Sequence, residues 1–387
     1  MRTRDAIVAG GGIIGCSIAW QLAERGLTVT IIEPGAPGGG ATWASAGMLS
    51  PLAEAEALEA PGSSGRRAFG ALASASFERW PAYAEAVKEA SGLDVGYRTD
   101  GKLHVALDED ALHDLDPLVS AGAAFGVERL TGSAARALEP SLSEHIAGAL
   151  FVARDHRVDN RRCGEAAWRA AEGAGVDIVR DRVVDISAGR SGTPAARSSG
   201  GVRVRSSDGS VLAAGSVVIA AGAWSGGIGG LPTSLPVRPV RGQMFSLAAD
   251  AASDRVARIV ETADCYLVPR EERLLVGATV EEVGWRQGPT PAGLAMLAAA
   301  AARVVPATAE AAIVESWAGF RPGTPDDLPI LGRDPDMPDV LYATGHFRNG
   351  ILLAPITAAA IADLLTGRAA VADLAPFGVA RFRSTDA

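Results

Sequence analysis

Three groups of residues in this chain have the types and spacing to do chemistry. The first is Gly10-Gly11-Gly12-Ile13-Ile14-Gly15, which fits G-x-G-x-x-G, with Glu33 standing 18 residues beyond Gly15. Glycines so spaced let the backbone approach a pyrophosphate at a helix N-terminus, and an acid such as Glu33 can accept the ribose hydroxyls of an adenosine. The same charge would repel a 2′-phosphate, which disfavours NADP. The second is Arg321, between Trp317-Ala318-Gly319-Phe320 and Pro322-Gly323. A guanidinium at a strand end can fork onto a carboxylate; the local alternative is an ion pair with Asp326 or Asp327. The third is Gly345-His346-Phe347-Arg348-Asn349-Gly350 ahead of an apolar helix. Its glycines permit a tight turn, and amides at the helix start can stabilise negative charge.

These groups need elements to hold them. Ala6–Ala9 is a short apolar strand, Ser17 to Gly26 has helical spacing with a glycine stop, and Leu27–Ile32 is a β-branched strand ending at Glu33. Together they form a βαβ unit. Residues 6–23 carry no charge and follow Arg2 and Arg4, which also suits a signal peptide or membrane anchor. Three consecutive glycines, Gln21 and the immediate second strand oppose that reading. Residues 34–51 are too glycine-rich for a helix interior and too apolar for a solvated linker. Such small residues would let backbone approach a large planar ligand.

Further along, spacing predicts helices over 66–92, 109–125, 159–174, 291–304 and 351–366. Val95 to Leu107 reads as strand–turn–strand around Asp100-Gly101. A β-meander is expected from Val176 to Leu212, with the Ser/Gly/Ala/Arg-rich stretch 187–201 as a disordered hairpin tip. Val217 to Ile219 is a buried strand running into a turn at Gly222. Antiparallel strands are expected at Gln243–Leu247, Ala257–Glu261, Cys265–Val268 and Arg273–Val276, with further strands at Ile313–Phe320 and Val340–Thr344. No internal repeat is present. The return of a strand–glycine–helix unit near the end predicts an α/β fold: a discontinuous Rossmann-like cofactor domain with an inserted substrate domain on a large antiparallel sheet. Expected boundaries are 1–80, 148–226 and 324–387 for the first, and 81–147 and 227–323 for the second.

Length and composition bound the function. A chain of 387 residues with 48% hydrophobic content can bury two cores. A net charge of −9 disfavours nucleic acid and anionic membrane surfaces as partners. Cys16, Cys163 and Cys265 are isolated, with no C-x-x-C pair and no His-rich cluster. That points to a reducing, cytoplasmic setting, no bound metal and three small core side chains.

Several segments jointly resemble a known family. They are the Gly10–Gly15 unit with Glu33, the run Gly39 to Pro51 containing Ala44-Ser45-Ala46-Gly47-Met48-Leu49, Val217 to Ser225, Trp317 to Asp326, and Gly345 to Pro355. On these the chain is similar, over nearly its whole length, to the D-amino acid oxidase family of FAD enzymes. Within that family it most resembles the glycine oxidases of thiamine biosynthesis. The resemblance implies FAD, held non-covalently because no cysteine lies in the late segment. It implies Gly10, Gly12, Ile13, Ile14 and Gly15 at the pyrophosphate and Glu33 at the adenosine ribose, with Pro34 also among the cofactor-binding residues. Val183 would meet the adenine side by its backbone, and Gly222 would also border the cofactor. Ala41, Thr42, Ala46, Gly47 and Met48 would line the isoalloxazine, as would His346, Phe347, Arg348, Asn349, Gly350, Ile351 and Leu352.

On the substrate side, the resemblance implies that Arg321 anchors an amino acid carboxylate. Tyr266 would add a hydroxyl, with Arg348, Met48 and Val280 around it. No catalytic side chain is expected, since oxidation takes place at the flavin. The implied partners are a small amino acid or amine and O₂, with no membrane or nucleic acid, in a homo-oligomer that is a tetramer by resemblance. Two positions depart from the pattern: Val280 stands where Met is frequent, and Asp264 where His is frequent. A smaller side chain at 280 would widen the pocket. Competing readings are a D-amino acid dehydrogenase with a non-O₂ acceptor, a flavoprotein acting on a modified tRNA base, and a non-catalytic flavin subunit. The first would want a membrane-docking surface and the second a basic patch, and the sequence offers neither.

Overall fold

The computed structural model describes residues 4–52, 64–189, 200–248 and 256–383. Two eight-stranded sheets organise them. The path of the first runs Ile330–Arg333, Val340–Thr344, Val211–Ile219, Arg4–Ala9, Val29–Ile32, Asp177–Val179. All neighbours on this path are parallel except the first pair. Val183–Ala188 and Val202–Ser206 join it as an antiparallel hairpin on Val211–Ile219. Ile7, Val8, Ile31, Val217, Val218 and Ile219 are fully buried, as in a parallel sheet covered on both faces. The helices Ile13–Glu24, Ser64–Phe77, Trp80–Ser91, Asn160–Gly173 and Gly350–Thr366 contribute to the core on one face.

The second sheet runs Ile313–Gly323, Arg238–Ala248, Arg273–Gly277, Tyr266–Pro269, Ile259–Glu261, Lys102–Ala106, Gly148–Val152, Val127–Thr131. It is antiparallel except where Ile259–Glu261 runs parallel to Lys102–His104. The helix Pro291–Val304, capped by the Thr290 side chain, packs on one face through Leu297, Ala300, Ala301 and Val304.

Several expectations are corrected. The helix expected over 66–92 breaks at Glu78-Arg79, where Pro81 suits the first turn of a new helix. The 109–125 segment splits into Glu109–His113, Asp116–Ala121 and a 3₁₀ turn, with Pro117 opening the second piece. Only Lys102–Ala106 of the expected hairpin over 95–107 is a strand; Arg98 makes an isolated bridge to Arg157. Asp177–Val179 is not part of a meander. It follows a helix and pairs in parallel with Val29–Ile32, because a helical crossover returns it to that sheet. Val127–Thr131, Gly132–Leu138, Gly148–Val152 and Ile330–Arg333 were not foreseen. Gly148–Val152, expected on the cofactor side of the boundary, is a strand of the second sheet. Residues 190–199 of the expected hairpin tip lie outside the described residues. No helix among the described residues is long and apolar enough to cross a membrane.

Candidate active site

A cavity of about 1180 Å³ opens beyond the C-terminal ends of Arg4–Ala9 and Val29–Ile32, where open α/β sheets place their ligands. Gly10, Gly12, Ile13, Ile14, Glu33, Pro34, Ala41, Thr42, Val183 and Gly222 line it. Gly15 does not. A Cβ there would stand 2.0 Å from the Gly10 carbonyl oxygen, so Gly15 serves the close approach of helix to turn. Gly10 has φ +113°, and a Cβ on it would lie 2.4 Å from the Ala220 carbonyl oxygen. Glu33 accepts the Gly11 and Gly35 amides, both at 2.7 Å, while Thr42 Oγ1 accepts the Ile13 amide at 3.1 Å. A Cβ at Gly12 would meet only Thr42 Oγ1, at 3.4 Å, and one at Gly222 would meet nothing within 4 Å. Both would stand in the cavity itself. A cradle that backbone can line closely, with a helix N-terminus and an acid at its wall, fits a dinucleotide.

A second cavity of about 500 Å³ shares Ile13, Ala41 and Thr42 with the first. Arg321, Tyr266, Met48, Val280, Arg348, Ala46, Gly47, His346, Phe347, Gly350 and Ile351 line it. Arg321 lies over Gly242, where a Cβ would be 2.3 Å from its Nη1. Its Nη1 donates to the carbonyls of Thr279 at 3.0 Å and Arg241 at 3.4 Å. Asp326 pairs with Arg381 instead, and no carboxylate among the described residues is within ion-pair distance of Arg321. Tyr266 lies over Gly277 in the same way, and its hydroxyl donates to Met244 Sδ at 3.5 Å. Burial pushes that hydroxyl up to about 12, against the pull of the Arg321 guanidinium, so it stays a donor.

Other expected residues are less central. Val280 is 66% exposed and borders the mouth of the chamber rather than its floor. Asn349 and Leu352 line neither cavity; the Leu352 carbonyl turns to the core and accepts from Ser76 Oγ and Trp80 Nε1. Buried His346 meets Thr357 Oγ1 at 3.2 Å, and burial pushes its imidazole down to about 3, so it is neutral. Asp264 also lines the chamber, and pairs there with Arg303 at 2.8 Å. All three cysteines are buried and free. Cys265 touches the chamber, yet burial holds its thiol up at about 11, which leaves no thiolate near neutral pH.

The small-residue segment is fixed rather than mobile. Asn160 Nδ2 donates to the Thr42 and Trp43 carbonyls, Trp317 Nε1 to Ala44, Arg270 Nη2 to Ala46, and the Val158 amide to Gly47. Asn160 and Arg270 were missed by sequence reasoning, as were Gly242, Thr279 and the pair Arg241–Glu281. That pair, extended by Gln243 and Thr279, pins the 279–281 turn whose carbonyl holds Arg321. A glycine inside an otherwise β-branched or long-side-chain strand was the one available signal for Gly242.

The comparisons agree with this geometry. The family model for FAD dependent oxidoreductases (DAO) matches residues 5–364. The chain is 35% identical over 383 residues to the glycine oxidase of Geobacillus kaustophilus (strain HTA426), covering 97% of each. It is 37% identical to the bifunctional protein ThiO/ThiG of Synechocystis sp., with 99% of this chain matched to 55% of that one. The crystal structure of the Geobacillus kaustophilus glycine oxidase superposes with a TM-score of 0.88 at 34% identity, covering 99% of this chain and 100% of that one. With a dinucleotide cradle, a substrate-sized chamber on its wall and this match along nearly all its length, the chain belongs to the DAO family of FAD-dependent oxidoreductases.

Proposed function

We propose that the chain oxidises glycine and other small amines, such as sarcosine and small D-amino acids. The products are the 2-oxo acid, ammonia or an amine, and H₂O₂ with O₂ as acceptor. The observation that carries this is Arg321: a guanidinium with no acid partner among the described residues, held over Gly242 beside the Tyr266 hydroxyl in a chamber that adjoins the dinucleotide cavity. The glycine oxidase and ThiO/ThiG relatives support the same reading, and with it a role in delivering the glycine imine to the thiazole of thiamine. FAD is bound non-covalently on this reading, consistent with the protonated Cys265 thiol. The cofactor domain takes the first sheet and the substrate domain the second, with the border after Val152 rather than before Gly148. Three free cysteines favour the cytoplasm.

The residues divide the labour simply. Arg321 and Tyr266 fix the carboxylate and so aim the α-carbon. Bound FAD supplies the two-electron acceptor for the Cα–H bond. Of the titratable groups around the substrate, Glu261 is held at about 2, His346 at about 3 and Tyr266 at about 12. None of these three changes its protonation state near neutral pH, so none of them sets a pH dependence of turnover in that range. The test is anaerobic mixing of the yellow protein with glycine, sarcosine, D-alanine and D-proline. Bleaching of the flavin, with colour returning and H₂O₂ forming when air is admitted, is expected. A flavin that stays oxidised with all four rejects the substrate class.

Glu33→Ala tests the cofactor half. It removes the acid offered to the ribose and leaves the Gly11 and Gly35 amides without their acceptor. Hydrogen bonds to a charged group contribute about 1.5–3 kcal/mol. FAD affinity, titrated by flavin fluorescence, should therefore fall roughly 10- to 150-fold, with KM for glycine at saturating FAD little changed. An unaltered FAD affinity would remove Glu33 from the ribose.

A further inference from the structure

One acid in the chamber has no part in the scheme so far. Glu261 stands opposite Tyr266 on one side and His104 on the other. Residues opposite one another in a ladder share a face. The row His104, Glu261, Tyr266, Gly277, Met244 therefore crosses the sheet under the chamber, and Glu261, Tyr266 and Met244 all line it. The Glu261 side chain keeps 30% exposure, while its Oε2 lies 2.9 Å from Lys102 Nζ. Lys102 is only 1% exposed and also meets Asp155 Oδ2 at 2.6 Å and Ser50 Oγ at 3.1 Å. One sealed ammonium is thus shared by two acids, Asp155 on the buried side and Glu261 on the open side. Burial pushes the Asp155 carboxyl up in spite of Lys102, whereas at Glu261 the ammonium overcomes burial and holds the carboxyl at about 2. The acid that faces the substrate is thus held as a carboxylate.

We propose that Glu261 determines substrate charge, admitting amines with a single carboxylate and rejecting those with a second acidic group. The inference rests on the substrate reading above. Arg321 takes the first carboxylate, and a second one must lie in a chamber of about 500 Å³ where Glu261 is a fixed anion beside Tyr266; of the other charged groups lining it, Arg348 already interacts with Glu261 and Asp264 is paired with Arg303. Like charges juxtaposed in a binding site are strongly unfavourable. Lys102 keeps the anion in place from behind, out of the substrate's reach.

Sarcosine and iminodiacetate decide the matter, since the second is the first with a carboxylate added to its N-methyl group. The wild-type protein should prefer sarcosine in kcat/KM. In Glu261→Gln the ratio of iminodiacetate to sarcosine should rise about tenfold or more. Binding of the non-oxidisable anions malonate and acetate, read from the flavin absorbance, should shift in the same sense. If Glu261 serves only to neutralise Lys102, the variant loses thermal stability and both ratios stay put, which overturns the proposal. The triple variant Glu261→Gln/Lys102→Met/Asp155→Asn removes the buried cluster of charges as a unit and guards against misfolding of the single one; it must show the same rise. A protein that oxidises neither amine counts against the substrate reading, and the malonate-to-acetate ratio then still judges Glu261.

Discussion

Arg321→Ala should lower kcat/KM for glycine by roughly 30- to 5000-fold in a protein that remains folded and yellow. Removing one partner of a desolvated charge pair costs about 2–5 kcal/mol, and each 1.36 kcal/mol is tenfold in rate. The loss falls on catalysis because Arg321 borders the 500 Å³ chamber and not the dinucleotide cavity. Its guanidinium has two carbonyl acceptors, Thr279 and Arg241, which fix its direction but leave its charge uncompensated. A carboxylate is the group that completes it. Arg321→Lys should recover little, since a single ammonium cannot reproduce the planar fork that those carbonyls aim. Steady-state kinetics with glycine, alongside the visible spectrum, reads both halves of the expectation. An unchanged KM in a yellow Arg321→Ala protein would mean that the carboxylate is bound elsewhere.

The cofactor cradle was legible in the sequence because it is local. Strand, glycine turn, helix, second strand and Glu33 fall within thirty-three residues, and the pairing of the two strands and the bond from the Gly11 amide to Glu33 both form inside that stretch. The chamber was legible only in part. Arg321, Tyr266 and Arg348 could be named, but what aims them could not. Gly242 and Gly277 clear the space in which Arg321 and Tyr266 lie, and which side chain crosses a strand glycine depends on register between strands far apart in the chain. The same holds for Glu261. A charge at a strand end reads as a solvated face, and Lys102 reaches it only because Ile259–Glu261 pairs in parallel with Lys102–His104. Val280 shows the converse: its segment borders the chamber, yet the side chain turns mostly to solvent at the mouth. Parallel or antiparallel pairing is decided by crossover and packing, which is also why Asp177–Val179 joined the first sheet and not a meander.

Gly15→Ala should yield a protein that binds FAD poorly or not at all, although Gly15 touches neither cavity. A Cβ at this position would stand 2.0 Å from the Gly10 carbonyl oxygen, 3.1 Å from its carbon and 3.3 Å from Val8 Cγ1. Two of these three atoms belong to backbone, so no rotamer change relieves the contact. The Gly10 turn cannot retreat either, because Gly10 itself is pressed against the Ala220 carbonyl and its amide is bonded to Ile32 at 2.9 Å. The start of the helix Ile13–Glu24 must therefore lift away from the turn, carrying with it the Ile13 amide that Thr42 Oγ1 accepts. Overpacking of this kind costs about 1–3 kcal/mol even where side chains can yield. Here the strain falls on the amides that a pyrophosphate would use. FAD titration should show the loss, and the melting temperature without added FAD should fall as well. A Gly15→Ala protein that purifies yellow with parental FAD affinity would show that the helix does not need this close approach, and that the glycine spacing serves some other end.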